Sequence, residues 1–232
     1  MEKFARWAAL AVLFFCLMPA TSVLAGKAEE KVTQAGTVME QIMAIPESAI
    51  PPNLLSNAHG IAIIPGVIKA GFVIGGRYGT GVVLVRNAAG QWSNPCLVSI
   101  SGGSVGWQVG AQSTDVILVF KSARSIEGLI NGKFTLGVDA AVAAGPVGRR
   151  VEGATDIALK AEILSYSRSR GFFAGVSLEG SALQIDDKAN ADYYRQPYVR
   201  ANDVLYGPGL SASPSASRLR EILAIYSTPP VR

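Results

Sequence analysis

The segment at residues 97–120, LVSISGGSVGWQVGAQSTDVILVF, constrains the fold more than any other part of the chain. Its first part alternates apolar residues such as Val105 and Trp107 with small residues, the period of two that is typical of a β-strand. Glycine weakens a strand unless another group passes close to the backbone, so the glycines predict close packing against a ring, a second backbone or a ligand. Residues 112–115 are predicted to turn, and the apolar run 116–120 to form a strand buried on both faces. The segment is therefore predicted to be a β-hairpin.

The same segment contains the pattern G-x-S-x-G around Ser104, which is found at the nucleophile of α/β-hydrolases. That chemistry needs a helix after the serine and, in this fold, a histidine later in the chain. Here a strand is predicted to follow, and the chain's single histidine, His59, comes before the serine. Other folds order their triads differently, so a serine hydrolase stays an alternative. The favoured interpretation is a small residue in a glycine-rich strand and a protein that is not an enzyme.

Residues 1–25 have the layout of a secretory signal peptide. Lys3 and Arg6 precede an apolar run at 7–18, and an A-x-A-like end at 23–25 predicts cleavage before Gly26. We therefore expect an exported protein, periplasmic or secreted, that is peripheral on a membrane if it is attached to one. An uncleaved N-terminal anchor is the alternative.

Cleavage would leave Cys96 as the single cysteine of the mature chain, and its apolar neighbours predict a buried structural thiol. One histidine and one cysteine do not supply a metal site, and no cofactor is expected. The formal net charge of +4 is mild and lacks the clustered basic and aromatic residues of a nucleic-acid interface. Nucleic acid is therefore not an expected partner, whereas weak attraction to an anionic membrane surface is.

Hydrophobic periodicity predicts a helix over 26–45 whose polar face mixes acids with bases. Membrane-surface helices are usually basic on that face, so docking onto the domain is favoured over lying on a membrane. Three short strands with tight turns are predicted at 61–64, 67–75 and 82–86. The other predicted elements are helices at 52–58, 122–130, 186–194 and from Ser213-Pro214 onward, and strands at 133–144, 157–167 and within 171–185.

An aromatic residue stands three positions before a glycine at four places in the predicted strands. The four rings are those of Phe72, Trp107, Phe134 and Phe172. Rings that fill the core beside glycines that allow close approach are the favoured interpretation. A groove for lipid acyl chains, lined by these rings, is the functional alternative.

Four stretches of the chain resemble the SYLF domain family. They are LLSNAHGIAIIP at 54–65, the segment 102–115, GPVGR at 145–149, and SRSRGFFAGVSLEG at 167–180. The resemblance covers about residues 45–197. In eukaryotes it implies a membrane and cytoskeleton adaptor that binds phosphoinositides and, in yeast members, actin; for bacterial members it implies an exported, lipid-binding protein. Actin is not expected to be the natural partner of an exported protein.

We predict an α+β fold in which a twisted, mainly antiparallel β-sheet or barrel-like core is flanked by N- and C-terminal helices. The predicted organisation is a signal peptide at 1–25, an N-terminal helix at 26–45, a SYLF-like domain at 46–197 and a C-terminal extension with one helix at 198–232.

The predicted function is a non-enzymatic lipid-binding module of the bacterial cell envelope, with anionic phospholipid of the phosphatidylinositol type as its ligand. Arginine donates paired hydrogen bonds to phosphate oxygens, so the phosphate-binding candidates are Arg149, Arg150, Arg168 and Arg170. Secondary candidates are Lys69, Arg77 and Lys121. The alternative is an envelope structural or assembly protein that binds another protein through its glycine-rich strands.

Overall fold

A computed structural model describes residues 21–47, 49–132, 134–148, 160–169, 172–173 and 178–228. The helices in these ranges are α1 (Thr21–Met43), α2 (Pro52–Ser56), α3 (Ala123–Ile130), α4 (Asp187–Tyr194), α5 (Ala201–Leu205) and α6 (Pro214–Ser227). The strands are β1 (Gly60–Val85), β2 (Cys96–Phe120), β3 (Phe134–Thr135), β4 (Val142–Ala144), β5 (Ile163–Ser169), β6 (Phe172–Phe173) and β7 (Ala182–Ile185).

The described strands form one seven-stranded sheet with β2 at its centre. Strand β2 pairs with β1, β5 and β7, all antiparallel, and β4 joins β5 in parallel. The β1–β2 pairing runs from Gly60 opposite Phe120 to Val83 opposite Cys96. The predicted α+β fold with a mainly antiparallel sheet and flanking N- and C-terminal helices is confirmed.

The predicted hairpin at 97–120 is wrong, because the whole segment lies in the single strand β2. Gln112 and Thr114, in the predicted turn, pair with Lys69 and Val67 of β1. The three short strands predicted between 61 and 86 are likewise one strand, β1, interrupted by irregularities between Ile64 and Val67 and between Gly71 and Val73. Each strand supplies the other with backbone partners along its length, and these outweigh the local turn signals.

The strand predicted at 133–144 is interrupted in the structure. Strands β3 and β4 are separated by a turn in which Gly137 has a φ of +84°. This left-handed conformation favours glycine and ends the strand. The strand predicted at 157–167 is present from Ile163 onward as β5, and residues 157–159 lie outside the described ranges.

Strand β1 curls back on itself. Twenty-six extended residues would span about 85 Å, whereas a compact domain of this size has a radius of gyration of about 17 Å. The two ends of β1 in fact meet, since Arg86 N–H donates to the His59 carbonyl over 2.9 Å. A Cβ on Gly81 would stand 2.2 Å from the Ile63 carbonyl oxygen, so glycine is needed where the strand crosses itself.

The last part of β2, residues 116–120, is buried on both faces. Ile117 and Val119 of β2 belong to one hydrophobic cluster, and Val116 and Leu118 belong to another. The first cluster includes side chains of α1, α2 and α6, and the second includes side chains of α3 and α5. The prediction that 116–120 is a strand buried on both faces is therefore confirmed.

The N-terminal helix docks onto the domain, as predicted. Val32, Ala35 and Met39 on α1 are fully buried in the first cluster together with Leu219 and Ile222 of α6. Helix α1 begins at Thr21 and runs through the predicted cleavage position at Gly26, while residues 1–20 of the predicted signal peptide lie outside the described ranges. Among the helices that the structure describes, none combines the length and apolarity needed to cross a membrane.

Three predicted helices start at side-chain caps. Ser122 accepts from Ser125 N–H at α3, Asp186 accepts from Ala189 N–H at α4, and Ser213 accepts from Ala216 N–H at α6. Pro214 takes the first position of α6, where its missing N–H has no helical acceptor to lose. These predicted helices, and the short helix at α2, are confirmed.

Candidate functional site

Of the four arginines predicted to bind phosphate, Arg168 alone lies in the described ranges; Arg149, Arg150 and Arg170 lie outside them. Arg168 is the last residue of β5 that pairs with β2, and it lies directly opposite Asp115. The β2–β5 register therefore places a basic and an acidic side chain on the same face of the sheet.

Arg168 forms an ion pair with Asp115, with 3.3 Å between Nη2 and Oδ2. The two side chains are 16% and 22% exposed, so the pair is largely screened from solvent. Arg168 also donates to Oε1 of Gln41 on α1. The other Asp115 oxygen accepts from Gly66 N–H over 3.0 Å, where β1 is irregular. The Arg168–Asp115 pair thus ties α1, β1, β2 and β5 together.

The end of the β1–β2 pairing beside this ion pair carries an exposed aliphatic side chain on one face and a basic side chain on the other. Ile68 is 54% exposed and pairs with Ser113, while Lys69 pairs with Gln112. Ser169 accepts from Gln112 Nε2 over 2.9 Å and donates to the Ser113 carbonyl over 3.3 Å. We call these five residues the β5-end patch. Arg170 follows Ser169 directly in the chain.

The loop that precedes Arg149 and Arg150 is fixed at both of its glycines. Gly145 N–H donates to the Ser165 carbonyl, and Gly148 N–H donates to the Ala49 carbonyl, each over 2.9 Å. Gly145 lies against the ring of Tyr166, whose pKa is raised by burial. Gly148 has a φ of +65°, a left-handed conformation that favours glycine. Arg149 and Arg150 follow it directly in the chain.

The secondary basic candidates are dispersed. Lys69 is half-buried in the β5-end patch, and Lys121 is half-buried just after β2. Arg77 is only 9% exposed, and burial lowers the pKa of its guanidinium. The three do not share one surface, so they do not form a single phosphate cluster in the described structure.

The residues singled out for nucleophilic chemistry lack the setting it needs. Ser104 lies inside β2, with strand on both sides, so the strand-turn-helix of a nucleophile elbow is absent there. His59 is exposed just before β1. Cys96 is buried, as predicted, and burial raises the pKa of its thiol to about 12, which leaves almost no thiolate at neutral pH.

Of the four rings in the aromatic-to-glycine pattern, the structure describes the side chain of one, Phe134. Phe134 is 3% exposed and belongs to the second hydrophobic cluster, which is the predicted structural role. The side chains of Phe72, Trp107 and Phe172 lie outside what the structure describes. The acyl-chain groove therefore stays a prediction.

Two open grooves flank the helices. One of about 530 Å³ runs between α1, α4 and the sheet, and it mixes Lys27, Lys31 and Lys188 with three acidic residues, Glu30, Asp186 and Asp192. Balanced charge gives this groove no preference for an anion. Another, of about 960 Å³, is bordered by Tyr198, which is 97% exposed and has a φ of +86°. The sequence carries no signal for this strained aromatic, since Pro197 before it indicates only a turn.

Comparison of the sequence with known proteins identifies a matching family. A family model described as "Ysc84: Las17-binding protein actin regulator" matches residues 101–226, more than half of the chain. The SH3 domain-containing YSC84-like protein 1 of Xenopus laevis is 38% identical over 179 residues, which are 77% of this chain and 53% of that protein.

Two further relatives extend the comparison to human and yeast. The human SH3 domain-containing YSC84-like protein 1 is 39% identical over 163 residues, 70% of this chain and 47% of that protein. The protein YSC84 of Saccharomyces cerevisiae is 39% identical over 151 residues, 64% of this chain and 32% of that protein. The chain thus spans about half the length, or less, of the curated relatives it matches.

The fold defines an α+β domain built on a long, curled, glycine-rich strand pair with helices on both faces. The chain belongs to the Ysc84 family, and the predicted membership in the SYLF domain family is confirmed. The names of the family and of these relatives are those of regulators and SH3-domain proteins rather than of enzymes.

Proposed function

We propose that this protein is a non-enzymatic binding module of the bacterial cell envelope that docks on anionic phospholipid surfaces. The observation that carries the proposal is the β5-end patch at this end of the sheet, where Ile68 is 54% exposed on one face of β1, Lys69 follows it on the opposite face, and the chain continues from Ser169 into Arg170. An exposed aliphatic group enters the acyl boundary while nearby cations attract anionic headgroups, so the two contributions act together.

The Arg168–Asp115 pair gives Arg168 a supporting role in this proposal. Its guanidinium already contacts Asp115 and Gln41, so it holds the end of β5 in place rather than reaching outward. Arg149, Arg150 and Arg170 are the proposed phosphate-binding residues. Export by the segment at 1–25 belongs to the same proposal, and mass measurement of the exported protein tests it through the predicted start at Gly26.

The test replaces Arg149, Arg150 and Arg170 with glutamine and keeps Arg168, so that the internal ion pair stays intact. We expect the triple variant to lose flotation with anionic vesicles while its thermal stability is unchanged. The matched control replaces Lys188, Arg195 and Arg200, three exposed cations elsewhere, with glutamine and so removes the same charge. Equal loss of binding in both variants would show a non-specific charge effect and would contradict the assignment.

Ile68→Ser tests the apolar contribution separately. We expect weaker vesicle binding and an unchanged unfolding temperature, because more than half of this side chain is already in solvent. The control is Ile225→Ser on α6, which removes an isoleucine that is 66% exposed. Unchanged vesicle binding by Ile68→Ser would remove the β5-end patch from the proposal.

A protein partner is the second candidate, and the comparisons favour it specifically. The family description names a Las17-binding actin regulator, and this lends no support to the expectation that actin is not the natural partner. Under this proposal the glycine-rich strands offer backbone groups for strand addition to another protein. Cosedimentation with actin filaments and a pull-down from envelope extract test it; no partner in either assay would count against it.

A non-enzymatic role also makes a direct prediction for Ser104. We expect no labelling by a fluorophosphonate probe, and labelling that disappears in Ser104→Ala would restore the serine-hydrolase alternative.

A further inference from the structure

The groove between α1, α4 and the sheet, which we call the α1–α4 groove, has the size of a small-ligand site. Its volume is about 530 Å³, and small-molecule pockets range from about 300 to 1,000 Å³. Ala28 of α1 and Leu97 and Val98 of β2 line the groove and are buried, so its base is apolar. An apolar base with a few charged groups around it is the usual composition of a ligand site.

The two helices give this groove walls of opposite net charge. The α1 wall carries two lysines and one acid, a net charge of +1, and the α4 wall carries two acids and one lysine, a net charge of −1. The charged residues are Lys27, Lys31 and Glu30 on α1, and Asp186, Asp192 and Lys188 on α4. A groove of this kind is complementary to a ligand that carries both a cation and an anion.

The charges of the two walls are not paired with each other. Among the residues that the structure describes, no ion pair joins a lysine of α1 to an acid of α4. Lys31 Nζ instead donates to Gln34 Oε1 on its own helix, over 3.1 Å. Asp186 Oδ1 accepts from Ala189 N–H over 2.9 Å, and a carboxylate has acceptor sites for further donors. Each wall therefore keeps charge for a ligand to pair with.

The composition of the walls favours an ammonium and a carboxylate as the two charges of the ligand. Tyr78 of β1 lines the groove and is 57% exposed, and the open face of a tyrosine ring attracts an ammonium group. Phosphate sites commonly use the planar fork of arginine, whereas the cations of the described groove lining are all lysines. Thr80 adds a hydroxyl that bonds to an amide N–H or carbonyl.

We propose that the α1–α4 groove binds a short peptide of two or three residues through both of its charged ends. The acids of α4 and the Tyr78 ring take the terminal ammonium, and the lysines of α1 take the terminal carboxylate. Leu97 and Val98 contact an apolar side chain of the peptide. This inference goes beyond the proposed membrane function, since none of the five residues of the β5-end patch lines the groove.

Calorimetric titration of the purified protein with the tripeptide trileucine tests the site. Acetylation of the peptide N-terminus removes the ammonium, and amidation of its C-terminus removes the carboxylate. We expect trileucine to bind and each blocked form to bind about tenfold more weakly, the effect of losing a hydrogen bond between charged groups.

Substitutions in each wall are matched to one blocked peptide. Asp186→Asn combined with Asp192→Asn is expected to weaken trileucine binding at least tenfold and to leave the affinity of the acetylated peptide unchanged. Asparagine also caps helices well, so α4 keeps its first turn. Lys27→Gln combined with Lys31→Gln is expected to weaken trileucine binding similarly and to leave the affinity of the amidated peptide unchanged.

Arg124→Gln and Glu127→Gln are the controls, because each removes one charge from the exposed part of α3, outside the groove. Both should bind trileucine as the wild type does. The proposal is overturned if trileucine does not bind the wild type or if the blocked peptides bind as tightly as trileucine. It is also overturned if the acid-wall variant weakens the acetylated peptide as much as the free one, since the acids then do not act on the ammonium.

Glycerophosphoethanolamine, which joins an ammonium to a phosphate, is the competing ligand. If it binds more tightly than trileucine, the peptide assignment is overturned and the groove is a site for a lipid headgroup. Trileucine binding that survives in the triple arginine variant, while vesicle flotation is lost, supports a peptide site separate from the membrane surface. Vesicle flotation by a wild type that does not bind trileucine removes this inference and leaves the proposed function in place.

Discussion

Gly81 lies directly against Ile63, eighteen positions earlier in the same strand, so that a Cβ at position 81 would stand 2.2 Å from the Ile63 carbonyl oxygen and 2.7 Å from the Cα of Ile64. The contact closes β1 into a curl, and the hydrogen bond from Arg86 N–H to the His59 carbonyl completes it. Glycine is thus needed at position 81, where β1 passes directly against an earlier part of itself.

Gly81→Ala is expected to lower the free energy of unfolding by about 3 kcal/mol, because the added methyl group meets main-chain atoms that have no rotamer to change. Urea unfolding followed by circular dichroism measures this. Gly103→Ala is the control, since a Cβ at that exposed strand position meets no atom within 4 Å, and it should change stability by less than about 0.5 kcal/mol. Equal stability of the two variants would contradict the crossing.

Asp115→Ala is expected to destabilise the protein by about 2 kcal/mol, since it leaves the largely screened Arg168 guanidinium and the Gly66 N–H without their carboxylate. Chemical denaturation of the variant measures this loss. Glu40→Ala is the matched control, because it breaks an ion pair with Arg218 whose side chains are 44% and 62% exposed. An exposed pair of this kind contributes less than about 1 kcal/mol. A loss in Asp115→Ala no larger than in the control would remove the supporting role of the pair.

Cys96 makes stability fall at alkaline pH. The pKa of the buried thiol is raised from 9.0 to about 12, so above pH 9 the unfolded chain releases a proton that the folded chain keeps. The unfolded state then binds fewer protons, and the free energy of unfolding decreases between pH 9 and pH 12. Cys96→Ala should show a shallower decrease, most clearly between pH 9 and 10, before tyrosines ionise.

Reactivity of the same thiol provides a second measurement. We expect no modification of Cys96 by a thiol reagent in the native protein at pH 8 and rapid modification after unfolding in urea. Modification of the native protein at the rate of a free thiol would contradict the burial of this side chain.

Local signals in the sequence are enough to predict the fold class and every described helix except the short α5 (Ala201–Leu205). Asp186 and the Ser213-Pro214 pair act within one turn of the helices they begin, so their effect is visible without tertiary structure. The pairing of Gly60 with Phe120 joins residues far apart in the chain. No local pattern specifies such a pairing, and the polar residues at 112–115 therefore indicated a turn.

The candidate site, like the fold, can be predicted from local sequence signals only in part. An acid in a predicted turn is expected to bind backbone N–H groups, and Asp115 does so, although its partner is Gly66 in a neighbouring strand. Its ion pair with Arg168 depends on the β2–β5 register.

Flotation of the protein from Gly26 onward with vesicles tests the proposed function most directly. All the buried core residues that the structure describes begin at Ala28, so this form keeps the packed face of α1. We predict binding to anionic vesicles, little binding to neutral vesicles, and release of the anionic vesicles at high salt, where attraction between surface charges is screened. Absence of binding to every vesicle would contradict the membrane proposal and leave the protein-partner candidate in its place.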